Sequence, residues 1–536
     1  MTSSFSERAH AHAEERRWWI LAVLCFSLLV IVLDNTILNV AIPTIVRDLD
    51  ATNSQLQWMV DAYTLVFAGL LLTGGSLGDR FGRRGALQLG LALFGLGSLA
   101  SAFATSSGQL IATRAFMGIG GAFIMPATLS IITNVFPARE RGKAIGVWAA
   151  TAGLAGVLGP LTGGFLLEHF YWGSIFLVNI PIVVIGLLAG VFLIPTSKDP
   201  SAPRLDPVGA LLSIVGLSVL LYGIIEAPQK GWTDPTIVVC FVIGLAVLGG
   251  FLLWEARSDH PMLDVRFFDN PRFTAASLGI MMVFFAMFGA TFLLTQYFQF
   301  VLGYTPLETG IRFLPIALCM MVLSPLSARF VHRIGTKLVV GTGLLMVTTG
   351  LVSWASLSAT SSYWPDIVWR QALMASGMAL TMAPATESIM GSLPLGKAGV
   401  GSAVNDTTRQ VGGALGVAVI GSVLASIYGS QVGDFLHGKP VPSGTAAELK
   451  QSLGLALAAS DKVPGLATTA IDGFIDGMHA GVLVAAGVAF VGAIVAFIWL
   501  PARASYDALA EAHDGDAAAA DAVGAVDPAV VGTTAT

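Results

Sequence analysis

The sequence predicts an all-α membrane protein of about fourteen spanning helices, arranged as two six-helix bundles with an accessory central pair. Three observations carry this expectation. Of 536 residues, 55% are hydrophobic and 11% charged, whereas a soluble domain carries about 25% charged residues. Mean hydropathy is +0.77, so the surplus apolar surface must face lipid. Apolar runs of the ~20 residues needed to cross hydrocarbon recur along the chain.

Residues 1–17 are polar and read as a cytoplasmic tail. The run after Trp18 and Trp19 is too long for a leader core and lacks a small-residue cleavage site, so it is the first span. Spans follow at 18–42, 55–76, 85–104, 109–133, 143–166 and 174–194, a first bundle over 18–194. The accessory pair, 207–225 and 237–254, lies within 195–254. A second bundle over 255–500 has spans at 274–300, 308–328, 338–357, 364–390, 400–428 and 477–500. Residues 430–475 mix Gly, Ser, Pro and charges and read as a long outer loop. The Ala-rich, acidic stretch 501–536 reads as a disordered cytoplasmic tail.

Charge orients the spans. With the N-terminus inside, 19 of the 28 Lys and Arg fall in cytoplasmic segments, 5 in outer loops and 4 within spans. That excess places both termini in the cytoplasm and the chain in the inner (plasma) membrane. Cys25, Cys240 and Cys319 sit in separate apolar runs at no redox or metal spacing, and read as small hydrophobes. The sequence shows no phosphate-binding loop, metal set, nucleophile constellation or nucleic-acid patch. Bound ATP is therefore excluded as an energy source on this chain, which leaves an ion gradient, and no cofactor or obligate protein partner is expected.

The loop after the second span reads GGSLGDRFGRRGAL (74–87), and its counterpart in the second bundle reads SPLSARFVHRIGTK (324–337). The second is a worn copy of the first, and two six-helix halves in one orientation are a repeat architecture of secondary transporters. Gly75, Asp79, Arg80, Gly82, Arg83 and Arg84 of the first loop resemble the signature loop of the major facilitator superfamily. The glycines permit a tight turn, and the charges can pair to hold the cytoplasmic side shut. Leu33 to Pro43 (LDNTILNVAIP) resembles the first-helix motif of its drug-exporting branch, and Arg114 with Gly118, Gly120 and Gly121 resembles the fourth-helix motif. Gly159, Pro160, Gly163 and Gly164 resemble the fifth-helix antiporter motif, with Ala155 where the pattern has Gly. Small residues and a helix-bending Pro suit a moving interface between the halves, although the same pattern serves a plain packing kink. The central pair and long outer loop match the fourteen-helix drug/proton antiporters, the QacA-like and EmrB-like group. The resemblance implies the major facilitator fold, alternating access and proton-coupled export of lipophilic, often cationic, small molecules. A dedicated exporter of one antibiotic or metabolite is the nearest alternative.

Charges inside spans need a reason, because each costs about 2.5–3.5 kcal/mol at a helix centre. Asp34 lies roughly 12 Å, Asp61 roughly 5–9 Å and Arg114 roughly 7–8 Å from the outer ends of their spans. Two acids near one Arg invite coupled titration, and a carboxylate so placed can exchange its proton for a cation. The same charges would also serve as a structural pin. Towards the cytoplasm, Glu387, Asp406 and Arg409 form a second group, with Asp406 either a secondary proton site or part of an inner gate. Phe284, Phe288 and Phe292 at spacing four, then Gln296, form a stripe suited to flat apolar cations. Lipid-facing or packing phenylalanines would give the same spacing.

Overall fold

The computed structural model describes residues 2–49, 53–198, 206–258, 261 and 263–501. Among these the regular structure is helical throughout. In sequence order the helices are α1 (Thr2–Leu49), α2 (Asn53–Phe81), α3 (Arg83–Ala102), α4 (Ser107–Val135), α5 (Ala138–His169), α6 (Ser174–Leu177) and α7 (Asn179–Leu193). The central pair is α8 (Pro207–Lys230) and α9 (Pro235–Glu255). Then come α10 (Pro271–Gln296), α11 (Pro306–Arg312), α12 (Leu314–Ile334), α13 (Thr336–Trp354), α14 (Val368–Met390), α15 (Ala398–Leu436), α16 (Ser443–Leu449), α17 (Leu453–Ala458) and α18 (Leu466–Trp499).

Local chemistry sets many of the starts. Asp206, Asp234 and Asn270 each accept a backbone N–H as N-caps, each followed by a proline whose missing N–H would go unused at that position. Thr305 and Glu308 close a capping box at α11. The breaks between α2 and α3 and between α12 and α13 are single glycines at φ 121° and 87°, Gly82 and Gly335. They occupy equivalent places in the two repeat loops, where a side chain would be strained.

Thirteen spans among the described residues are long and apolar enough to cross a membrane. The fourteenth long helix is α14, expected at 364–390, which follows a π-turn at Tyr363–Ile367. It carries Gln371, Thr381, Thr386 and Glu387, all buried. Those polar residues lower its hydropathy, and α10, α12 and α13 cover them so that they do not meet lipid. The structure differs from the expected boundaries at three ends. Residues 2–17 continue α1 as helix rather than a separate tail, α15 runs on to Leu436, and α18 starts at Leu466. Two short helices, α16 and α17, fill the span between, where the Tyr428 hydroxyl donates to the Leu449 carbonyl at 3.0 Å. Residues 502–536 lie outside the described part.

The buried apolar side chains form two large clusters, one drawn chiefly from α1–α7 and the other chiefly from α10–α18. Between the two sets, α5 packs along α12, and α15 packs against α2 and α4. Helix α8 lies on α2 and α15, and α9 lies along α8. The loops that join α2 to α3, α4 to α5 and α12 to α13 all lie on one face, which carries Arg83, Arg84, Arg139, Arg141, Lys143 and Arg333. We call it the basic face.

Candidate functional site

One buried polar centre lies within the first helix set, and a latch and a second buried polar centre lie on the seam between the sets. The first centre is in the half of the membrane away from the basic face. Arg114, two turns into α4, donates through Nη1 to Asp34 Oδ2 on α1, and both side chains are buried. Arg114 Nε also donates to the Met59 carbonyl at 3.1 Å, and its guanidinium lies 4.6 Å over the Tyr63 ring on α2. The other Asp34 oxygen accepts from Asn179 Nδ2 at 3.0 Å. Asn179 opens α7, where Pro181 lacks the N–H that would carry α6 on into α7. The same Nδ2 donates to Ser98 Oγ at 3.1 Å, and Ser98 donates to the Phe176 carbonyl at 2.8 Å. Helices α1, α4 and α7 thus meet at one carboxylate, with α2, α3 and α6 tied on behind them. Asp61 lies on α2, but its side chain falls outside the described residues, so the expected second acid has no described place here.

The latch is at the basic face. Asp79 accepts the backbone N–H groups of Gly399 (2.9 and 2.8 Å) and Val400 (3.1 Å), which open α15 in the other set. A carboxylate on α2 thereby caps the positive end of a helix from across the seam. Arg83 pairs with Asp79 at 2.8 Å and donates Nη2 to the Leu395 and Gly396 carbonyls at 2.6 and 3.0 Å. The backbones touch here. A Cβ at Gly75 would lie 2.5 Å from the Gly399 carbonyl, so only glycine allows this approach. Arg84 donates to the Ile194 carbonyl at 3.2 Å, and Arg80 stacks on Phe81. Beside the Asp79–Arg83 ion pair, the bonds of Asp79 and Arg83 across the seam reach backbone, which no residue code at 394–400 announces.

The second centre is deeper along α15. Arg409 lies 4.8 Å over Trp148 of α5 and 5.2 Å over Phe284 of α10, and its Nη2 donates to Thr386 at 3.0 Å. Asp406, one turn earlier, is 3.8 Å away. Glu387 does not join them. Its charged neighbours are Arg141 of α5 and Arg272 of α10, nearer the basic face, so the expected single group divides in two.

The aromatic stripe also divides. Phe284 is buried against Arg409, whereas Phe288 and Phe292 are 46% and 36% exposed above Gly413 and Gly421 of α15. Gln296 ends α10 half-buried, where a π-turn follows. In the antiporter motif Gly159 faces Thr36 and Ile37 of α1, within its own helix set. The glycines of α5 that meet the other set are Gly142, against Glu387, Gly146, against Ser324 and Pro325, and Gly153, against Met320. Gly163 is buried and Gly164 has open space around it, and the Pro160 side chain is outside the described residues.

Asn179, Ser98, Tyr63, Trp148 and Thr386 escaped the sequence reading. One signal was available for two of them. Pro126-Ala-Thr128-Leu-Ser130-Ile131 and Pro384-Ala-Thr386-Glu-Ser388-Ile389 are copies at the same depth of α4 and α14. In each copy the threonine oxygen accepts from the following helix, Trp148 Nε1 at 3.2 Å and Arg409 Nη2 at 3.0 Å.

Two internally related helix sets, joined by a polar latch and enclosing buried charges, define a polytopic membrane transporter rather than an enzyme. The chain belongs to the Major Facilitator Superfamily, whose model matches residues 24–417. It is 34% identical over 455 residues to the multidrug efflux pump LfrA of Mycolicibacterium smegmatis, covering 85% of this chain and 89% of that protein. It is 32% identical over 455 residues to the methyl viologen resistance protein SmvA of Salmonella typhimurium, covering 84% and 90%. The solved human organic anion transporter MFSD10 shares the fold, with a TM-score of 0.63 at 15% identity over 90% of this chain and 99% of that one.

Proposed function

We propose that this chain is a proton-coupled antiporter that exports lipophilic, often cationic, small molecules across the cytoplasmic membrane. The observation that carries the reading is the buried Asp34–Arg114 pair, closed on three sides by Met59, Tyr63 and Asn179. An ion pair inside a span is costly to keep unless it works, and a carboxylate balanced by an Arg can take up a proton and release it when a cation arrives. Asp406 beside Arg409 is a second such place in the other set. The relatives named for multidrug efflux and for resistance to a cationic dye support the substrate class.

On this reading 18–194 and 255–500 rock as two bundles about the seam, with the pair in 195–254 riding on α2 and α15 and the tail 501–536 in the cytoplasm. The excess of Lys and Arg makes the basic face cytoplasmic. The Asp79 and Arg83 latch then keeps the inner side shut, and Phe284, Phe288, Phe292 and Gln296 border the substrate path. No cofactor or protein partner takes part, only protons, substrate and the bilayer. The test is ethidium transport in everted vesicles. Wild-type uptake should stop when the proton gradient is collapsed, and Asp34→Asn should abolish it with the protein still in the membrane. Undiminished transport by Asp34→Asn would refute the proton role.

A further inference from the structure

A residue that carries a proton in one half of its cycle and a charge in the other needs neighbours suited to both forms. A carboxylate only accepts hydrogen bonds, whereas the protonated acid must also donate one. The groups around Asp34 differ in whether they can follow that change. Arg114 has donors alone. Tyr63 turns its ring face to Arg114, and its hydroxyl reaches along α4 to Gly121, 3.0 Å from where a Cβ there would stand. Helix α5, which packs along α1, carries its ionisable residues Arg139, Glu140, Arg141, Lys143, Glu168 and His169 near its two ends. Helix α7 has none. Asp61 of α2 is outside the described side chains. That leaves the Asn179 amide, fully buried, with Nδ2 on Asp34 and Ser98. Its Oδ1 is also buried and has no partner among the described residues.

We propose that Asn179 is the positioning residue that serves Asp34 in both protonation states. With Asp34 charged, Nδ2 donates to the carboxylate, as the structure has it. When Asp34 takes a proton from solvent, the amide turns over about its Cβ–Cγ bond and Oδ1 accepts the new O–H. Ser98 permits either orientation, because its hydroxyl accepts from Nδ2 now while donating to the Phe176 carbonyl, and after the turn its one O–H can swing from that carbonyl to Oδ1. The unpaired oxygen is then the acceptor held for the other half of the cycle. This inference rests on the proton-coupling reading and adds to it the group that makes both forms of Asp34 tenable.

The test measures tetraphenylphosphonium binding to the purified full-length chain as a function of pH. Proton exchange at Asp34 makes that affinity pH-dependent, with a break in the profile. Asn179→Leu, of similar shape, removes donor and acceptor together. A hydrogen bond to a charge is about twice as strong as a neutral one, so the charged form loses more and the break should move alkaline by about one pH unit. Asn179→Asp, isosteric with the native residue, places a second acid beside the first and should move it further. It also carries the test should the leucine variant not fold. A residue that merely packs would lower the melting temperature and leave the break in place. Breaks at the wild-type pH in the folded variants, with Asp34→Asn abolishing the break, would overturn this inference alone. Absence of any break in the wild type would overturn the coupling reading itself.

Discussion

Replacing Asp79 tests how the two helix sets are held together at the basic face. Its carboxylate takes two N–H groups from the first turn of α15, while its bond to Arg83 stays within the first set. The Arg83 pair is lost in every conformation of the variant, so it cancels from the equilibrium between latched and unlatched states. The bonds to Gly399 and Val400 exist only when latched. Hydrogen bonds to a charged group contribute at least about 1.5 kcal/mol each, so Asp79→Ala should weaken the latched state by about 3 kcal/mol. At 1.4 kcal/mol per tenfold, that shifts the equilibrium by about two orders of magnitude. Asp79→Asn keeps an acceptor but no charge and should shift it by about one. Arg83 still donates to the Leu395 and Gly396 carbonyls, which limits the effect. Spin labels on cysteines at Phe81 and Leu395, exposed by 66% and 45%, would report the separation by double electron–electron resonance. The native Cys25, Cys240 and Cys319 would be replaced first. The longer distance should be minor in the wild type and dominant in Asp79→Ala. An unchanged distance distribution would refute the latch, as would an altered substrate preference, since Asp79 is far along α2 from Met59 and Tyr63, which border the Asp34 pair.

Trp148→Leu should remove the cation–π contact with Arg409, about 0.5–2 kcal/mol, and lengthen the same label distance less than Asp79→Ala does. Arg409→Ala leaves Asp406 buried without its cation and should cost about 3–5 kcal/mol, seen as a fall in melting temperature that Asp406→Asn in the same chain relieves. Gly82→Ala forces a side chain onto a backbone at φ 121°; a loss of about 1–3 kcal/mol should appear as a lower melting temperature, larger than that of Gly85→Ala, where the added methyl meets open space.

The spans were legible because crossing lipid imposes a length and composition that a sequence displays directly. Their ends were less so. Outside the hydrocarbon a helix continues as far as caps and propensity allow, which is how α1 reaches Thr2 and α15 reaches Leu436. The apolar run at 364–390 marks α14 in the sequence despite the polar Gln371 and Glu387, which the fold buries against neighbouring helices.

Within the site, Asp34 and Arg114 stood out because a charge among apolar residues is conspicuous. Asn179 did not, because one neutral amide in an apolar run looks unremarkable until its two neighbours are known. The sequence by itself determined that this is a helical membrane protein with two related halves, that Asp34, Arg114, Asp406 and Arg409 are charges set within spans, and which loop turns on glycine. Each of those follows from local composition. Only the tertiary structure decided that Asp79 meets the backbone of α15, that Arg409 lies between Trp148 and Phe284, and that Asn179 completes the shell of Asp34. Those contacts join residues up to some 300 positions apart, and backbone groups, being the same at every residue, leave no trace in the code.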